Sequence, residues 1–389
     1  MFEKIRSEYV SNKYYSGLYA HMGSNEVVNT IISFLAGPFL YSIGISLPII
    51  FLFYCLIQIT NVIGLLGSPF LVNKFGYNRT IILSYIFSGL FLVSIILSAQ
   101  SLVFIFLASI FQGIQKSFYY PIVDTLQASF IAKNNRGKQI SLRYILVSLA
   151  GALTAFAAGW LLSYKMNFIL LTIAFIFVIV SVLPLYVIFK QRIETNIKNP
   201  KDIFSLLKLK KFRKRLWQTM GLAMTNTILT TVLSLYVFIY FKDFKVFGLV
   251  LVGAALSEML VGLYFGRLID DGGRKKGLKL SSLLVGIGSL LLVFFNALAW
   301  AISALKIYIQ GVFNFLLNSY DANYNDKAKE SGQPYLFSSS VLMIMSITGA
   351  LLYGLCALLS CFLSIKILFS FIFFLSFIGL VVNFKFFEE

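Results

Sequence analysis

The chain has 389 residues, of which 59% are hydrophobic and only 12% are charged, whereas soluble globular domains carry about 25% charged residues. This composition excludes an ordinary water-soluble protein and a disordered chain, and it indicates that lipid is the main solvent. The net charge at pH 7 is +18. Because the basic residues border apolar segments, we assign this charge to contacts with anionic lipid and exclude nucleic acid as a partner.

Apolar segments of roughly 17 to 25 residues recur along the chain, and each is long enough to cross about 30 Å of hydrocarbon as a helix. They predict an all-α membrane protein with twelve transmembrane helices. The predicted helices cover residues 25–44, 47–72, 80–98, 102–130, 140–163, 168–189, 217–241, 246–268, 279–298, 300–320, 335–359 and 362–386. Residues 1–24 are polar and lack a signal-peptide pattern, so we expect a cytoplasmic N-terminal segment.

The longest polar stretch, residues 190–216, is rich in lysine and arginine and divides the predicted helices six and six. By the positive-inside rule it is a cytoplasmic linker between an N-terminal bundle, residues 25–189, and a C-terminal bundle, residues 217–389. The same rule places both termini in the cytoplasm, since all but six of the 33 basic residues then lie in or beside cytoplasmic segments. The exceptions are Lys116, within a helix, and five lysines expected outside: Lys165, Lys242, Lys245, Lys306 and Lys366. The abundance of lysine, isoleucine and phenylalanine favours a bacterial plasma membrane.

The two halves contain an internal repeat. The segment IFQGIQKSFYYPIVDTL in the fourth predicted helix resembles YIQGVFNFLLNSYDANY in the tenth. In this alignment two sets of residues correspond, and their i, i+4, i+8 spacing places each set on one helix face. These sets are Gln112, Lys116 and Tyr120 in the first half and Gln310, Asn314 and Asn318 in the second. Repeats of this kind predict two bundles related by a pseudo-two-fold axis, with a binding site between them at the midplane.

Two loops carry a second pattern. Residues 266–277, GRLIDDGGRKKG, match a G-x-x-x-D-x-x-G-R-K pattern at Gly266, Asp270, Gly273, Arg274 and Lys275. The corresponding first-half loop, SPFLVNKFGYNRT, keeps Lys74, Gly76 and Arg79, with Asn73 at the aspartate position. With these loops, the six-plus-six helices and the basic linker, the chain resembles the major facilitator superfamily.

The resemblance implies two six-helix bundles that alternate access to a central site, and it implies that the two loops help to hold one conformation. The matching residues of both loops are therefore gating candidates, and the alternative is that they are solvated loop charges. Asp124 and Arg143 fall near the cytoplasmic ends of the fourth and fifth predicted helices. We expect a gating or structural ion pair there rather than substrate contact.

Two ionisable residues lie deep in predicted helices, Lys116 in the fourth and Glu258 in the eighth. A charge inside the bilayer costs about 2.5–3.5 kcal/mol on insertion scales, so each requires a function or a partner. We predict roles in substrate binding or coupling, with a charge pair between them that substrate or a proton breaks; the alternative is a structural role. The uncharged polar candidates for the same cavity are Gln112, Tyr120, Asn226, Gln310, Asn314 and Asn318. The alternative to substrate contact is that they form hydrogen bonds between helices.

The resulting functional prediction is a monomeric secondary transporter, with proton-coupled efflux of amphipathic or drug-like compounds by antiport as the first choice. Import or flipping of an anionic metabolite, peptide or lipid is the alternative, and a non-transporting membrane scaffold or sensor is the alternative of another class. The sequence has no nucleotide-binding loop and no nucleophile motif, so we expect no enzyme. One histidine and three cysteines without a C-x-x-C spacing predict no metal and no cofactor. The expected partners are a small-molecule substrate, protons and membrane lipids.

Overall fold

The computed structural model describes residues 13–130, 136–189, 210–268 and 274–386. These residues form helices joined by short turns, without a β-strand, and this confirms the predicted fold class. Residues 190–209, the greater part of the predicted linker, lie outside the described residues, so the boundary between the predicted bundles stays a prediction.

We number the helices α1 to α12 in chain order. In the first half, α1 comprises Lys13–Phe34, a π-helical turn Leu35–Phe39 and Leu40–Ser42; α2 and α3 are the parts of Leu47–Leu97 before and after Gly76; α4 is Leu102–Phe130, α5 is Arg136–Ser163, and α6 comprises Asn167–Val182 and Leu185–Phe189. In the second half, α7 comprises Lys210–Asn226, a π-helical segment Thr227–Val232 and Leu233–Phe241; α8 is Phe244–Leu268, α9 is Arg274–Phe295, α10 is Ala299–Glu330, α11 is Pro334–Leu359, and α12 is Ile365–Lys385. We call the side of the molecule at which α1 begins the Lys13 side.

Nine helices in the described part of the chain are long and apolar enough to cross a membrane. The helix Leu47–Leu97 is one of the nine but contains both α2 and α3, because Gly76 breaks it with φ 78° and ψ 171°. Helix α1 is not among them, since its first half carries His21, Asn25 and Glu26, and α6 is shortened by a turn at residues 183–184. The chain is therefore a multi-span membrane protein.

Helix α1 begins at Lys13 rather than near residue 25. Tyr15, Leu18 and Tyr19 are buried, and the Tyr19 hydroxyl donates a hydrogen bond to the Gln139 carbonyl oxygen of α5. Burial of these aromatic and aliphatic side chains stabilises the extra helical turns. Residues 13–24 are thus helical and packed on the rest of the N-terminal half, while the cytoplasmic location of residues 1–24 stays a prediction.

The most extensive contacts between the two halves are those of α2 with α11 and of α5 with α8. Glycines allow the second pair to approach closely: a Cβ built on Gly159 of α5 would lie 2.6 Å from the Phe244 carbonyl oxygen, and one on Gly248 of α8 would lie 2.8 Å from the Ala155 carbonyl oxygen. Small residues are the usual means of close helix packing in membranes. These contacts fix α5 and α8 at the wall of the space between the halves.

Candidate functional site

A cavity of about 460 Å³ lies between the two halves and is lined by side chains of α1, α2, α3, α4, α5, α7, α8, α10 and α11. Its volume is within the range of about 300–1,000 Å³ typical of small-molecule sites. Six of the predicted substrate or coupling residues line it: Gln112, Lys116, Tyr120, Asn226, Glu258 and Gln310. The structure therefore brings together residues from four different helices that the sequence had suggested separately.

Asn314 and Asn318 do not line this cavity. Both are buried, and Asn318 Nδ2 donates to Asn314 Oδ1 over 3.1 Å. The matching stripe of α4 lines the cavity at all three of its positions, whereas the stripe of α10 lines it only at Gln310.

Glu258 of α8 bridges the two halves. Its Oε2 accepts a hydrogen bond from the Ser148 hydroxyl of α5 over 2.7 Å, and its Oε1 accepts one from Gln310 Nε2 of α10 over 2.6 Å. Hydrogen bonds to an ionised group are stronger than those between neutral groups. The carboxylate thus joins the N-terminal half to the C-terminal half at the cavity wall.

Lys306 continues this network. The sequence indicates a lysine on the outer side, but Lys306 is buried two turns into α10 and lines the cavity. Its Nζ donates to Gln310 Oε1 over 2.7 Å and to the Leu229 carbonyl oxygen over 3.0 Å. Leu229 lies in the π-helical segment of α7, a type of distortion frequent at functional sites.

Lys116 is not paired with Glu258, so the predicted charge pair is not formed. Among the described residues, Lys116 has no ion pair and no hydrogen bond, and it lines the cavity from α4. The partners of Glu258 are instead Ser148 and Gln310. A lysine without a partner at a cavity wall is available to a ligand.

Glu26 of α1 is a cavity residue that the sequence analysis missed. Its Oε1 accepts from Thr30 over 3.3 Å, and it lies beside Gly151 of α5, since a Cβ built there would be 3.7 Å from Oε1. Gly151 is one turn after Ser148, so Glu26 and Glu258 flank the same stretch of α5. The signal was present: Glu26, Thr30 and Ser33 are spaced by four and three residues and all line the cavity.

On the Lys13 side of the cavity, an ion pair joins the halves. Arg143 Nη2 of α5 lies 2.7 Å from Asp321 Oδ2 of α10, and the Tyr144 hydroxyl donates to the same oxygen over 2.9 Å. Arg143 Nη1 also donates to Gln127 of α4 over 2.7 Å. An ion pair was predicted here, and its acid is Asp321; Asp124 instead accepts from the Tyr324 hydroxyl over 3.3 Å.

On the opposite side, aromatic side chains make contacts between the halves. The rings of Tyr54 in α2 and Tyr353 in α11 stack with centroids 5.1 Å apart, and those of Phe34 in α1 and Phe247 in α8 meet edge to face at 4.8 Å. The cavity is thus bounded by inter-half contacts on both sides.

The predicted loop gates are described only in part. Lys74 and Arg79 are exposed on either side of the Gly76 break. Asp270 and Gly273 lie outside the described residues, and Gly266, Arg274 and Lys275 lie in helices at positions whose side chains are not described. The gating role of both loops stays a prediction.

Comparison with solved structures shows what the fold is similar to. A bacterial homologue of the iron transporter ferroportin, in an outward-facing state with soaked iron, is 13% identical, with a TM-score of 0.66 over 97% of this chain and 98% of its own. The Escherichia coli fucose:proton symporter FucP is 13% identical, with a TM-score of 0.67 over 96% and 98%. The human organic anion transporter MFSD10 is 12% identical, with a TM-score of 0.65 over 95% and 99%. At these identities the similarity establishes the fold alone.

A comparison with curated proteins found no significant match. The family model of the Major Facilitator Superfamily matches residues 21–350, most of the chain, from the first half of α1 to α11. This match agrees with the two halves, the central cavity and the inter-half contacts described above, and the chain belongs to the Major Facilitator Superfamily.

Proposed function

We propose that the protein is a proton-coupled secondary transporter that moves a small molecule by alternating access. The observation that carries this proposal is the position of Glu258, whose carboxylate accepts one hydrogen bond from each half of the molecule. A proton bound there acts directly on the contact between the halves.

The chemistry of the network supports this coupling. An ionised carboxylate only accepts hydrogen bonds, whereas a protonated one is also a donor. The Ser148 hydroxyl can reverse its role, but the Gln310 amide is held by Lys306 on its oxygen and presents only its NH₂ group to Glu258. A proton on Glu258 therefore belongs on Oε2, where the acid O–H donates to the Ser148 hydroxyl while the other oxygen still accepts from Gln310. The hydrogen bond between the halves then loses its ionised acceptor and is weaker, which eases separation of α5 from α8.

Alternating access requires contacts that open on one side while those on the other side hold. The Arg143–Asp321 pair and the aromatic contact of Tyr54 with Tyr353 supply one set on each side. We infer that the Lys13 side faces the cytoplasm, as the positive-inside rule predicts.

For direction and substrate, we propose efflux of amphipathic compounds in exchange for protons. Aromatic side chains of Tyr54, Phe91, Tyr120, Phe247 and Tyr353 line the cavity and suit an apolar body. A second candidate, uptake or flipping of a molecule with an anionic group, is favoured by one observation: Lys116 has no partner among the described residues. A scaffold has no evident use for Glu26, Lys116, Glu258 and Lys306 in one cavity, because buried charges are costly.

The test is the internal pH of proteoliposomes while amphipathic compounds and anionic metabolites are added in turn. We expect substrate-dependent proton movement with the native protein, and its loss in Glu258→Gln. The matched control is Glu330→Gln, the same change at an exposed residue of α10. Substrate flux without proton movement, unchanged in Glu258→Gln, would contradict the coupling.

A further inference from the structure

The charged side chains that line the cavity are linked to one another in the C-terminal half but not in the N-terminal half. In the C-terminal half, Glu258 and Lys306 are both bound by one amide, with 2.6 Å from Gln310 Nε2 to the carboxylate and 2.7 Å from Lys306 Nζ to Gln310 Oε1. This chain of three groups is electrically neutral and hydrogen-bonded throughout. Its charges are therefore already compensated before any ligand enters.

The N-terminal half also contributes one anionic and one cationic side chain, but these two are not linked to each other. Glu26 and Lys116 line the cavity from α1 and α4, and they form no ion pair with each other. The contact of Glu26 over 3.3 Å is with Thr30, a neutral residue of its own helix, and within the described residues the Lys116 ammonium group has no hydrogen-bond acceptor. One anion and one cation thus face the cavity without counter-charges.

Gln112 adds an unmatched acceptor to the lining of the same cavity. It occupies the repeat position of Gln310 and lies one turn before Lys116 on α4. It is 5% exposed; its Nε2 donates to Gln115 over 3.5 Å, while its Oε1 has no hydrogen-bond partner in the described part of the structure. A buried polar atom without a partner destabilises the structure, and a donor on the ligand would supply the missing hydrogen bond.

From these three groups we propose that Glu26, Gln112 and Lys116 bind a zwitterionic substrate, with its ammonium group at Glu26 and Gln112 Oε1 and its anionic group at Lys116. The ligand would bind both charged side chains of the N-terminal half, as Gln310 binds both Glu258 and Lys306 in the C-terminal half. This inference rests on the proposed transport function and specifies the substrate class of the same cavity.

Other charge types fit less well. A simple anion at Lys116 leaves the Glu26 carboxylate without a cation, and a simple cation at Glu26 leaves Lys116 without an anion. A neutral molecule leaves both uncompensated, and an uncompensated charge in a low-dielectric site is costly. The aromatic lining from Tyr54, Tyr120 and Tyr353 leaves room for an apolar side group, so the zwitterion is amphipathic.

The experiment measures the thermal stability of the purified full-length chain in detergent with a panel of ligands. The panel contains the natural amino acids and dipeptides with one aromatic residue, each as the zwitterion, as the carboxyl amide and as the N-acetyl form. We expect at least one zwitterion to raise Tm, and both of its singly charged forms to bind at least about tenfold more weakly, as loss of one charged hydrogen bond implies. Equal binding of a singly charged form, or no stabilisation by any zwitterion, would overturn the proposal.

Two variants assign the ends of the ligand. Glu26→Gln should abolish the preference for the zwitterion over its N-acetyl form, and Lys116→Gln should abolish the preference over its amide. Glu330→Gln and Lys366→Gln, the same changes at exposed positions, should keep both preferences. Each variant is compared with its own ligand-free Tm, so a general loss of stability is distinguished from a loss of selectivity, and retention of both preferences in Glu26→Gln and Lys116→Gln would refute the assignment.

The outcome is separable from that of the proposed coupling. Zwitterion counterflow in proteoliposomes without proton movement would contradict proton coupling and leave the substrate class in place. Proton-coupled flux of singly charged or neutral compounds alone would contradict the zwitterionic substrate class and leave proton coupling in place.

Discussion

Arg143 of α5 and Asp321 of α10 form an ion pair across the two halves of the molecule, with 2.7 Å between Nη2 and Oδ2. The pair lies on the Lys13 side because α5 begins there and α10 ends there. The guanidinium group also lies over the Tyr144 ring, 4.0 Å from its centroid. We propose that the pair acts as a polar latch between the halves on that side.

Arg143→Gln should release this latch, since it leaves the Asp321 carboxylate without its cation. We expect the Lys13 side to open more often. In a Met345→Cys protein, a membrane-impermeant maleimide should then label the new cysteine at least about tenfold faster. A tenfold change corresponds to about 1.4 kcal/mol. Met345 suits the assay because it lines a small cavity beside Asp321. The reagent is applied to that side after Cys55, Cys356 and Cys361 are replaced by serine. Lys327→Gln, which breaks an exposed pair with Glu330, is the control, and equal labelling rates in both variants would show that the ion pair is not a latch.

Lys306→Met should reduce transport at least about tenfold and lower Tm, because the Leu229 carbonyl oxygen and the Glu258 carboxylate lose their compensating cation. The double variant Lys306→Met with Glu258→Gln removes both charges together. Its loss of stability should be smaller than the sum of the single losses, by about 0.5–3 kcal/mol, as expected of residues in one network. Thermal unfolding of the four proteins gives this coupling energy directly, and additive losses would mean that the two residues act independently.

Gly248→Ala should weaken the packing of α5 against α8. The added Cβ would lie 2.8 Å from the Ala155 carbonyl oxygen, a backbone atom that cannot move without the helix. Overpacking of this kind costs about 1–3 kcal/mol, and we expect a lower Tm and lower transport. Gly67→Ala is the matched control, because a Cβ at that helical position meets nothing within 4 Å; a Gly248→Ala protein as stable as Gly67→Ala would show that close approach is not required.

Gly76→Ala should destabilise the turn between α2 and α3. Its φ of 78° with ψ of 171° lies in a region that is open essentially to glycine alone, and a side chain there costs about 1–3 kcal/mol. The space around the residue is empty within 4 Å, so the cost is conformational and not steric contact. Chemical denaturation of Gly76→Ala beside Gly67→Ala measures it, and equal stability would contradict the backbone argument.

Much of the site was visible in the sequence as separate pieces. Lys116 and Glu258 were found because a charge within an apolar run stands out, and Gln112 and Gln310 were found through the repeat. Glu26 was missed because the helix was begun at residue 25, which placed the carboxylate at a helix end. Lys306 was missed as a cavity residue for a similar reason: near the start of a predicted helix, a lysine is read as an interfacial residue.

The sequence by itself determined that the chain is a helical membrane protein of two related halves, and its loop patterns indicated the family. These properties depend on hydrophobicity over short windows and on internal similarity, both of which are local. Only the tertiary structure decided which charged groups meet. The partners of Glu258 lie 110 and 52 residues away, and that of Arg143 lies 178 residues away. Helical periodicity fixes the face on which a side chain lies, but the neighbour of that face depends on how the two halves pack, which side-chain spacing along one helix does not encode.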